Sequence, residues 1–413
     1  MNQVPIAPLA TATMLPLQPD YRRGDYVRTN KGDSAIHRKN SRFNELQVQQ
    51  LMKQGLTKGL SMAMEDMKEV FALRIWIVDN SGSMRKPDGH RIISSNQNTI
   101  KTIPCSRWDE IVECVEYHAK LAGLVEAPTR FRLLNNPGAN VGPQQFSIAE
   151  DEYGNIPEQV RRATSIMRQA RPGGCTPLTS HILEIHNEIS QLAPELRKLG
   201  KKVVIVIATD GLPTDESGYG GANHNQEFVD ALRMLEGLPV WVVVRLSTDD
   251  EDVVNFYNDL DGQLELSMEV LDDFCGEAEE VMGENPWLNY GLPLHRLREF
   301  GFHDRVFDML DERPLMKSEI RDFCSLLFGR ENIDGMADPS IDWDSFIQDV
   351  GRLLGMEAYQ YNPKTKRCGS LMGLALWDDD NVFSSMFMEQ DAKTQEAFSP
   401  VAIMVESSKR GKC

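Results

Sequence analysis

The sequence has no apolar run of the ~18–20 residues that a membrane-spanning helix requires. Its longest apolar runs are short and rich in β-branched residues, which is typical of buried strands. Positive charge is also scarce, because 44 Lys and Arg residues face 62 Asp and Glu residues, for a net charge of −18. Proteins that bind a nucleic-acid phosphate backbone concentrate positive charge on one face. We therefore expect neither a membrane span nor a nucleic-acid partner.

Paired cysteine motifs are absent as well. The seven cysteines lie at positions 105, 114, 175, 275, 324, 368 and 413, without a Cys-x-x-Cys pair. An odd number of scattered cysteines favours reduced thiols over a disulfide framework, and their spacing indicates no zinc site. This pattern predicts an intracellular protein, cytoplasmic with the nucleus left open.

The chain is longer than one ordinary domain of ~100–200 residues, since it has 413 residues. Composition and periodicity divide it into five segments. We predict a disordered arm over 1–42, an amphipathic helix over 43–69, an α/β domain over 70–284, a mainly helical module with a hairpin over 285–377, and a disordered tail over 378–413.

The segment 70–284 alternates apolar strands with amphipathic helices. Phe71–Val78, Lys202–Ala208 and Val240–Leu246 have the continuous apolar character of strands buried on both faces. Helices of ten or more residues between them require crossover connections, which are right-handed and produce a mainly parallel sheet. The predicted fold class is therefore α/β, a doubly wound Rossmann-like sheet with helices on both faces. Ligand sites in such sheets lie beyond the carboxyl ends of the strands.

The loop after the first predicted strand places oxygen-bearing side chains at alternate positions. Asp79, Ser81 and Ser83 surround Gly82, which permits a tight turn. An extended turn of this kind aims one carboxylate and two hydroxyls at a common point. A small hard cation such as Mg2+ prefers these oxygen ligands. Alone, such a loop is most often an ordinary turn.

Two later loops offer the same chemistry. Thr176 follows a Gly-Gly turn and precedes a predicted helix, where its hydroxyl can bind a cation or simply cap the helix. Asp210 follows the most apolar strand and precedes Gly211, where a carboxylate caps the next turn or faces a cation. These residues are the remaining candidate metal ligands.

Taken together, Asp79-x-Ser81-x-Ser83, then Thr176, then Asp210-Gly211 resemble the metal-ion-dependent adhesion site of the von Willebrand factor A family, in order and spacing. The resemblance covers roughly residues 71–282, and Cys175 is a small departure beside Thr176. It implies that the three hydroxyls bind Mg2+, with Mn2+ as a substitute, directly or through water. It also implies that the two carboxylates often act from outside the first coordination sphere.

The function implied by this resemblance is adhesion rather than catalysis. A coordination position on the ion, vacant or filled by water, would accept an Asp or Glu side chain from a protein partner. A bridging cation also explains how an acidic chain can bind an acidic ligand. We therefore expect an intracellular adaptor or scaffold whose partner and oligomeric state the sequence does not define.

Two alternatives remain open at this stage. In the first, residues 285–413 place one of their own acidic side chains in the site, which makes the protein self-occluded or homo-oligomeric. In the second, the Asp79/Asp210 pair and Mg2+ serve a phosphohydrolase. The sequence lacks the motifs that usually accompany such chemistry: there is no Asp-x-Asp at Asp79, no Gly-x-x-x-x-Gly-Lys loop and no Gly-x-Ser-x-Gly elbow. We therefore expect no enzyme.

Overall fold

The structure, a computed structural model, describes residues 42–94, 100–151 and 154–373. The arm predicted over 1–42 and the tail predicted over 378–413 lie outside these ranges, apart from Arg42. In chain order the strands are β1 (Phe71–Val78), β2 (Gly89–Ser94), β3 (Ile100–Cys105), β4 (Thr129–Leu133), β5 (Gln145–Ile148), β6 (Lys202–Thr209), β7 (Val240–Leu246), β8 (Met268–Leu271), β9 (Gln360–Asn362) and β10 (Arg367–Gly369).

The helices surround this strand framework. In chain order they are α1 (Glu45–Lys53), α2 (Lys58–Val70), α3 (Arg107–Val125), α4 (Ile156–Gln169), α5 (Leu178–Leu199), α6 (Ala222–Arg233), α7 (Glu251–Gln263), α8 (Phe274–Glu284), α9 (Leu292–Glu299), α10 (Arg305–Asp308), α11 (Lys317–Phe328), α12 (Arg330–Ile333) and α13 (Trp343–Leu354). A short 3-10 turn spans Gly82–Arg85.

The central sheet has six strands in the order β5-β4-β1-β6-β7-β8. The edge strand β5 runs antiparallel to β4, and the other neighbours are parallel. The predicted α/β architecture with a mainly parallel sheet is confirmed at this level. The chain continues from β1 to β4 on one side and later returns to β6 on the other, so the strand order reverses at β1. The loops after β1 and β6 therefore flank a topological switch point.

Apolar side chains on the two faces of the sheet belong to two separate core clusters. Ile75 and Ile205 point to the face covered by α5 and α6, where Ile182 and Phe228 are fully buried. Trp76 belongs to the opposite cluster, together with residues of α3 and of the C-terminal helices. Because successive side chains of a strand alternate between faces, a continuous apolar run such as β1 supplies both cores.

Two features differ from the sequence-based expectation. The single helix predicted over 43–69 is wrong, because α1 and α2 are separated at Gly55, whose φ of 91° lies in the left-handed region. Thr57 then accepts a hydrogen bond from Leu60 N and starts α2. In addition, the β2–β3 ribbon was not predicted, and it forms a separate two-stranded antiparallel sheet.

The C-terminal segment contains the predicted helices and the β9–β10 hairpin, but it does not have a separate core. Phe300, Phe307 and Phe323 belong to the same apolar cluster as Trp76. The buried Arg74 of β1 donates from Nε to Phe300 O at 3.0 Å, and its guanidinium lies 4.0 Å from the centre of the Phe300 ring. Residues after 284 therefore cover one face of the sheet. Within the described ranges, no helix combines the length and apolar character needed to cross a bilayer.

Candidate functional site

Asp79 begins the loop after β1 and is fully buried. Its backbone N–H donates to Ala208 O at 2.8 Å, which continues the pairing of β1 with β6 by one residue. Its carboxylate accepts from Ser81 N at 2.7 Å and from the Thr209 hydroxyl at 2.7 Å. Both carboxylate oxygens are therefore held by the loop itself and by the end of the neighbouring strand.

A line of hydroxyls connects this loop to the loop after β6. The Oγ atoms of Ser81 and Ser83 are 2.9 Å apart, and Ser83 Oγ donates to Asp210 Oδ1 at 2.8 Å. Ser83 and Asp210 are 127 positions apart in the sequence. One hydrogen-bonded cluster at the carboxyl ends of β1 and β6 thus contains four of the five residues predicted from the sequence. They are Asp79, Ser81, Ser83 and Asp210.

Thr176 is joined through its backbone to the loop that follows β6, whereas its hydroxyl forms no hydrogen bond with the cluster in the described residues. Its N–H donates to Thr214 Oγ1 at 2.9 Å, and its carbonyl accepts from Thr214 N at 2.9 Å. The preceding turn contacts the first loop, because Gly82 N donates to Gly174 O at 3.2 Å. Gly174 has a φ of 91°, and a Cβ there would lie 2.4 Å from Asn135 Oδ1, so the turn requires glycine. The structure therefore brings all three predicted loops together.

Arg107, the first residue of α3, contributes a positive charge that the sequence did not reveal. Its Nη1 donates to Asp210 Oδ2 at 2.9 Å, while Nε and Nη2 bind the Asp88 carboxylate at 2.7 and 2.6 Å. The Arg107 side chain is 4% exposed and the Asp210 side chain 0%. A basic residue in the first turn of a helix opposes the helix dipole. This unfavourable position at the start of a helix is the one feature of the sequence that could have indicated a special role for Arg107.

Asn80 and Asn135 form hydrogen bonds that connect the loops to one another. Asn80 Nδ2 donates to Asn135 O at 3.0 Å and Asn135 N donates to Asn80 Oδ1 at 2.7 Å. Asn135 Nδ2 also donates to Cys175 O at 2.7 Å. Because these side-chain bonds link three segments, at positions 80, 135 and 175, they fix the loops before any ligand binds.

The site carries more negative charge than its surroundings stabilise. Burial, and after it the neighbouring Asp210, raise the pKa of Asp79 to about 6, although hydrogen bonds from Thr209 and Ser81 act to lower it. Arg107 compensates one of the two carboxylates. A buried carboxylate pair with one guanidinium still favours an additional cation nearby.

The donor set fits a hard divalent cation. Hydroxyls and carboxylates are the ligands of Mg2+, which binds oxygen at about 2.0–2.1 Å and usually retains several waters. Ser81 and Ser83 would hold the ion with Thr176, while the carboxylates of Asp79 and Asp210 already accept protein hydrogen bonds. The ion would supply a Lewis-acidic position for a ligand carboxylate.

Residues 285–373 do not enter this cluster. Across the described residues, the hydrogen-bond and ion-pair partners of the five predicted site residues all lie between positions 79 and 214. Helices α9 to α13 therefore supply no acidic side chain to the site. The alternative in which the C-terminal part of the chain occludes the site now concerns residues 374–413 alone, and these lie outside the described residues.

A positively charged groove adjoins the site. It has a volume of about 510 Å³ and is lined by Arg85, Ser106, Trp108, Asp109, Arg171 and Pro172. Arg85 follows the serine loop directly, and Arg171 precedes the Gly-Gly turn. Within the described part of the chain, neither guanidinium forms an ion pair. The two guanidiniums outnumber the one carboxylate of the groove, that of Asp109, which favours an acidic ligand.

Comparisons with known proteins give little additional information. No family model and no curated protein matches the chain. Among solved structures, a point mutant of the PilB minor pilin from Streptococcus sanguinis matches with 12% identity and a TM-score of 0.32, over 48% of this chain and 56% of that one. Similarity at this level identifies no family for the chain.

Proposed function

We propose that the chain contains a von Willebrand factor A-type domain that binds Mg2+ and, through it, a carboxylate of a protein partner. One observation carries the proposal: three loops at the switch point of the sheet converge, and Ser81, Ser83 and Asp210 form a continuous line of hydrogen bonds there. Convergence of distant residues into an all-oxygen cluster is what a hard cation requires.

The neighbouring contacts support a binding role. Asp79 and Asp210 are held by Thr209, Ser83 and Arg107, so these carboxylates favour the cation while remaining tied to the protein. Anionic groups kept one water away from Mg2+ leave the ion strongly electrophilic. A carboxylate from outside is the natural ligand for the remaining coordination position.

The groove beside the site supports an acidic partner. A partner segment with one carboxylate on the ion would place further acidic groups near Arg85 and Arg171. Cation bridging and the two arginines together overcome the repulsion between an acidic partner and a chain of net charge −18. We further propose an intracellular adaptor without catalytic activity, in keeping with the unpaired state of the six cysteines in the described residues.

The metal-binding step is tested by calorimetric titration of the metal-depleted full chain with Mg2+ and Mn2+. Wild type should bind one ion, and Asp79→Asn should lose most of the affinity because the neutral amide removes a buried charge without changing its volume. Asp322→Asn, which changes an exposed aspartate of α11, is the matched control. Equal binding by all three proteins would refute the proposal.

The partner-binding step needs a separate experiment. Proteins captured from a cell extract by the wild-type chain should be released by a chelator and should be absent from captures with Asp79→Asn. If the same proteins are captured with the chelator present and by Asp79→Asn, they bind to a surface away from the site. Mg2+-dependent hydrolysis of a generic phosphoester, abolished in Asp210→Ala, would instead support the phosphohydrolase alternative.

A further inference from the structure

A second group of metal-binding side chains lies where the β2–β3 ribbon meets the start of α8. It consists of His90 at the start of β2, Asp273 immediately before α8, and Cys275 in the first turn of α8. His90 Nδ1 is 3.3 Å from Asp273 Oδ2, and one ligand atom of each residue lies within 4.8 Å of the other two. None of these residues takes part in the oxygen cluster of Asp79 and Asp210.

The three side chains line a small cavity. Its volume is about 20 Å³, and Glu110 and His295 also line it. A space of ~10–15 Å³ is enough for one water molecule, so this cavity accommodates one ion or one water. The His90 side chain is 39% exposed, which provides a route from solvent.

Two of the ligands are already oriented by other contacts. Asp273 Oδ1 accepts from Gly276 N at 2.7 Å and caps α8, which directs Oδ2 towards His90. The backbone N–H of His90 donates to Glu110 Oε2 at 2.8 Å. Secondary contacts of this kind hold the ligands of metal sites in place.

Charged side chains of both signs line the cavity. The carboxylates are those of Glu110, Glu113 and Asp273, and the guanidiniums are those of Arg91, Arg245 and Arg296. Each guanidinium is bound to a glutamate: Arg91 to Glu113, Arg245 to Glu110 and Glu299, and Arg296 to Glu299. Within the described residues none of them forms an ion pair with Asp273, so its carboxylate remains available to a cation.

Two other groups of potential ligands in the described residues are already neutralised by arginines. Glu299, which lies beside Cys114 and His118, accepts from Arg296 Nη1 at 2.8 Å. Glu277 and Asp311 both bind Arg298. In contrast, the side-chain contact of Asp273 is a histidine that can become neutral. Of the three groups, the His90 group is therefore the one whose carboxylate has no arginine bound to it in the described residues.

We propose that His90, Asp273 and Cys275 bind one zinc-class divalent cation that joins the β2–β3 ribbon to the start of α8. Imidazole and thiolate are preferred ligands of Zn2+ rather than of Mg2+. Three protein ligands and one water complete a tetrahedral shell, after local shifts that bring the ligand atoms, which lie within 4.8 Å of one another, to Zn–S and Zn–N distances of about 2.3 and 2.0 Å. Binding deprotonates the Cys275 thiol, and the proton passes to solvent.

The experiment uses Co2+ as a spectroscopic probe on the metal-depleted full chain, with saturating Mg2+ present to occupy oxygen-only sites. A thiolate ligand produces a sulfur-to-cobalt charge-transfer band in the near ultraviolet, which an oxygen site does not produce. We expect the band to saturate at one Co2+ per chain and to disappear when Zn2+ is added. Cys275→Ser should abolish it, and His90→Gln should weaken Co2+ binding by at least roughly tenfold.

Cys368→Ser, a half-buried thiol of the β9–β10 hairpin, is the matched control and should keep the band. His90→Gln removes a part-exposed ligand, so it remains informative if Cys275→Ser fails to fold. The proposal is overturned if no band forms, or if the band survives both Cys275→Ser and His90→Gln. A band lost in Cys175→Ser instead would place the cobalt beside Thr176 and would equally overturn it.

Discussion

Replacing Arg107 with methionine should make the stability of the protein depend more strongly on Mg2+ than that of wild type. The substitution preserves much of the side-chain volume but removes the guanidinium from the buried Asp210, while Asp88 at the other end is half exposed and stays hydrated. Breaking a buried ion pair costs about 3–5 kcal/mol, because one charge is left uncompensated. We expect a loss of about 3 kcal/mol in chelator. Saturating Mg2+ should recover most of it, since the cation replaces the missing charge in the folded state alone.

Urea unfolding of wild type and Arg107→Met, each with chelator and with Mg2+, measures this effect. Arg130→Met is the matched control, because Arg130 is also buried and bonded to two carboxylates, Glu150 and Glu188, away from the site. Its loss of stability should be the same with and without Mg2+. If Mg2+ stabilises both variants equally, or neither, then Arg107 does not act as a counter-charge to the cation site.

Three further predictions concern pH, backbone geometry and partner charge. Burial lowers the pKa of His118 to about 4. Between this value and the ordinary histidine pKa of about 6.5, the imidazole is therefore protonated in the unfolded chain and neutral in the folded chain. Stability should therefore fall by about 2 kcal/mol from pH 7 to pH 5 through this group, and urea unfolding of His118→Gln should show a correspondingly smaller fall. Gly174→Ala should cost about 2 kcal/mol and weaken Mg2+ binding, whereas Gly211→Ala, with no atom within 4 Å of the added carbon, should change the melting temperature little. Reversing the charge of Arg85 and Arg171 should weaken binding of an acidic partner about tenfold at low salt and leave Mg2+ affinity nearly unchanged; a salt-independent loss would argue against an electrostatic groove.

The parts of the site that could be predicted share one property. Asp79 and Asp210 each follow a continuous apolar strand, and parallel strands bring their carboxyl ends to one edge of the sheet. Local sequence therefore defined both the strand and the position of the carboxylate. Ser81 and Ser83 lie in the same turn as Asp79, so their convergence also follows from local geometry.

The parts that escaped prediction depend on contacts between distant segments. Arg107 binds a carboxylate 103 positions away, and no local pattern specifies that pairing. His90 and Asp273 are 183 positions apart, so cysteine spacing alone gave no indication of a zinc-type cluster. The ribbon that carries His90 is polar on much of its length and contains Pro104, which weakens its signal as a strand.

The position of Phe300 over Arg74 has a consequence for the order of events during synthesis. On a ribosome, β1 emerges long before α9, and until then Arg74 lacks the ring of Phe300 and Arg245 lacks Glu299, one of its two carboxylate partners. The nascent α/β unit should therefore remain incompletely covered on one face until about 300 residues have left the exit tunnel. Genetic fusions or truncations that end near residue 284 would leave the chain in that immature state.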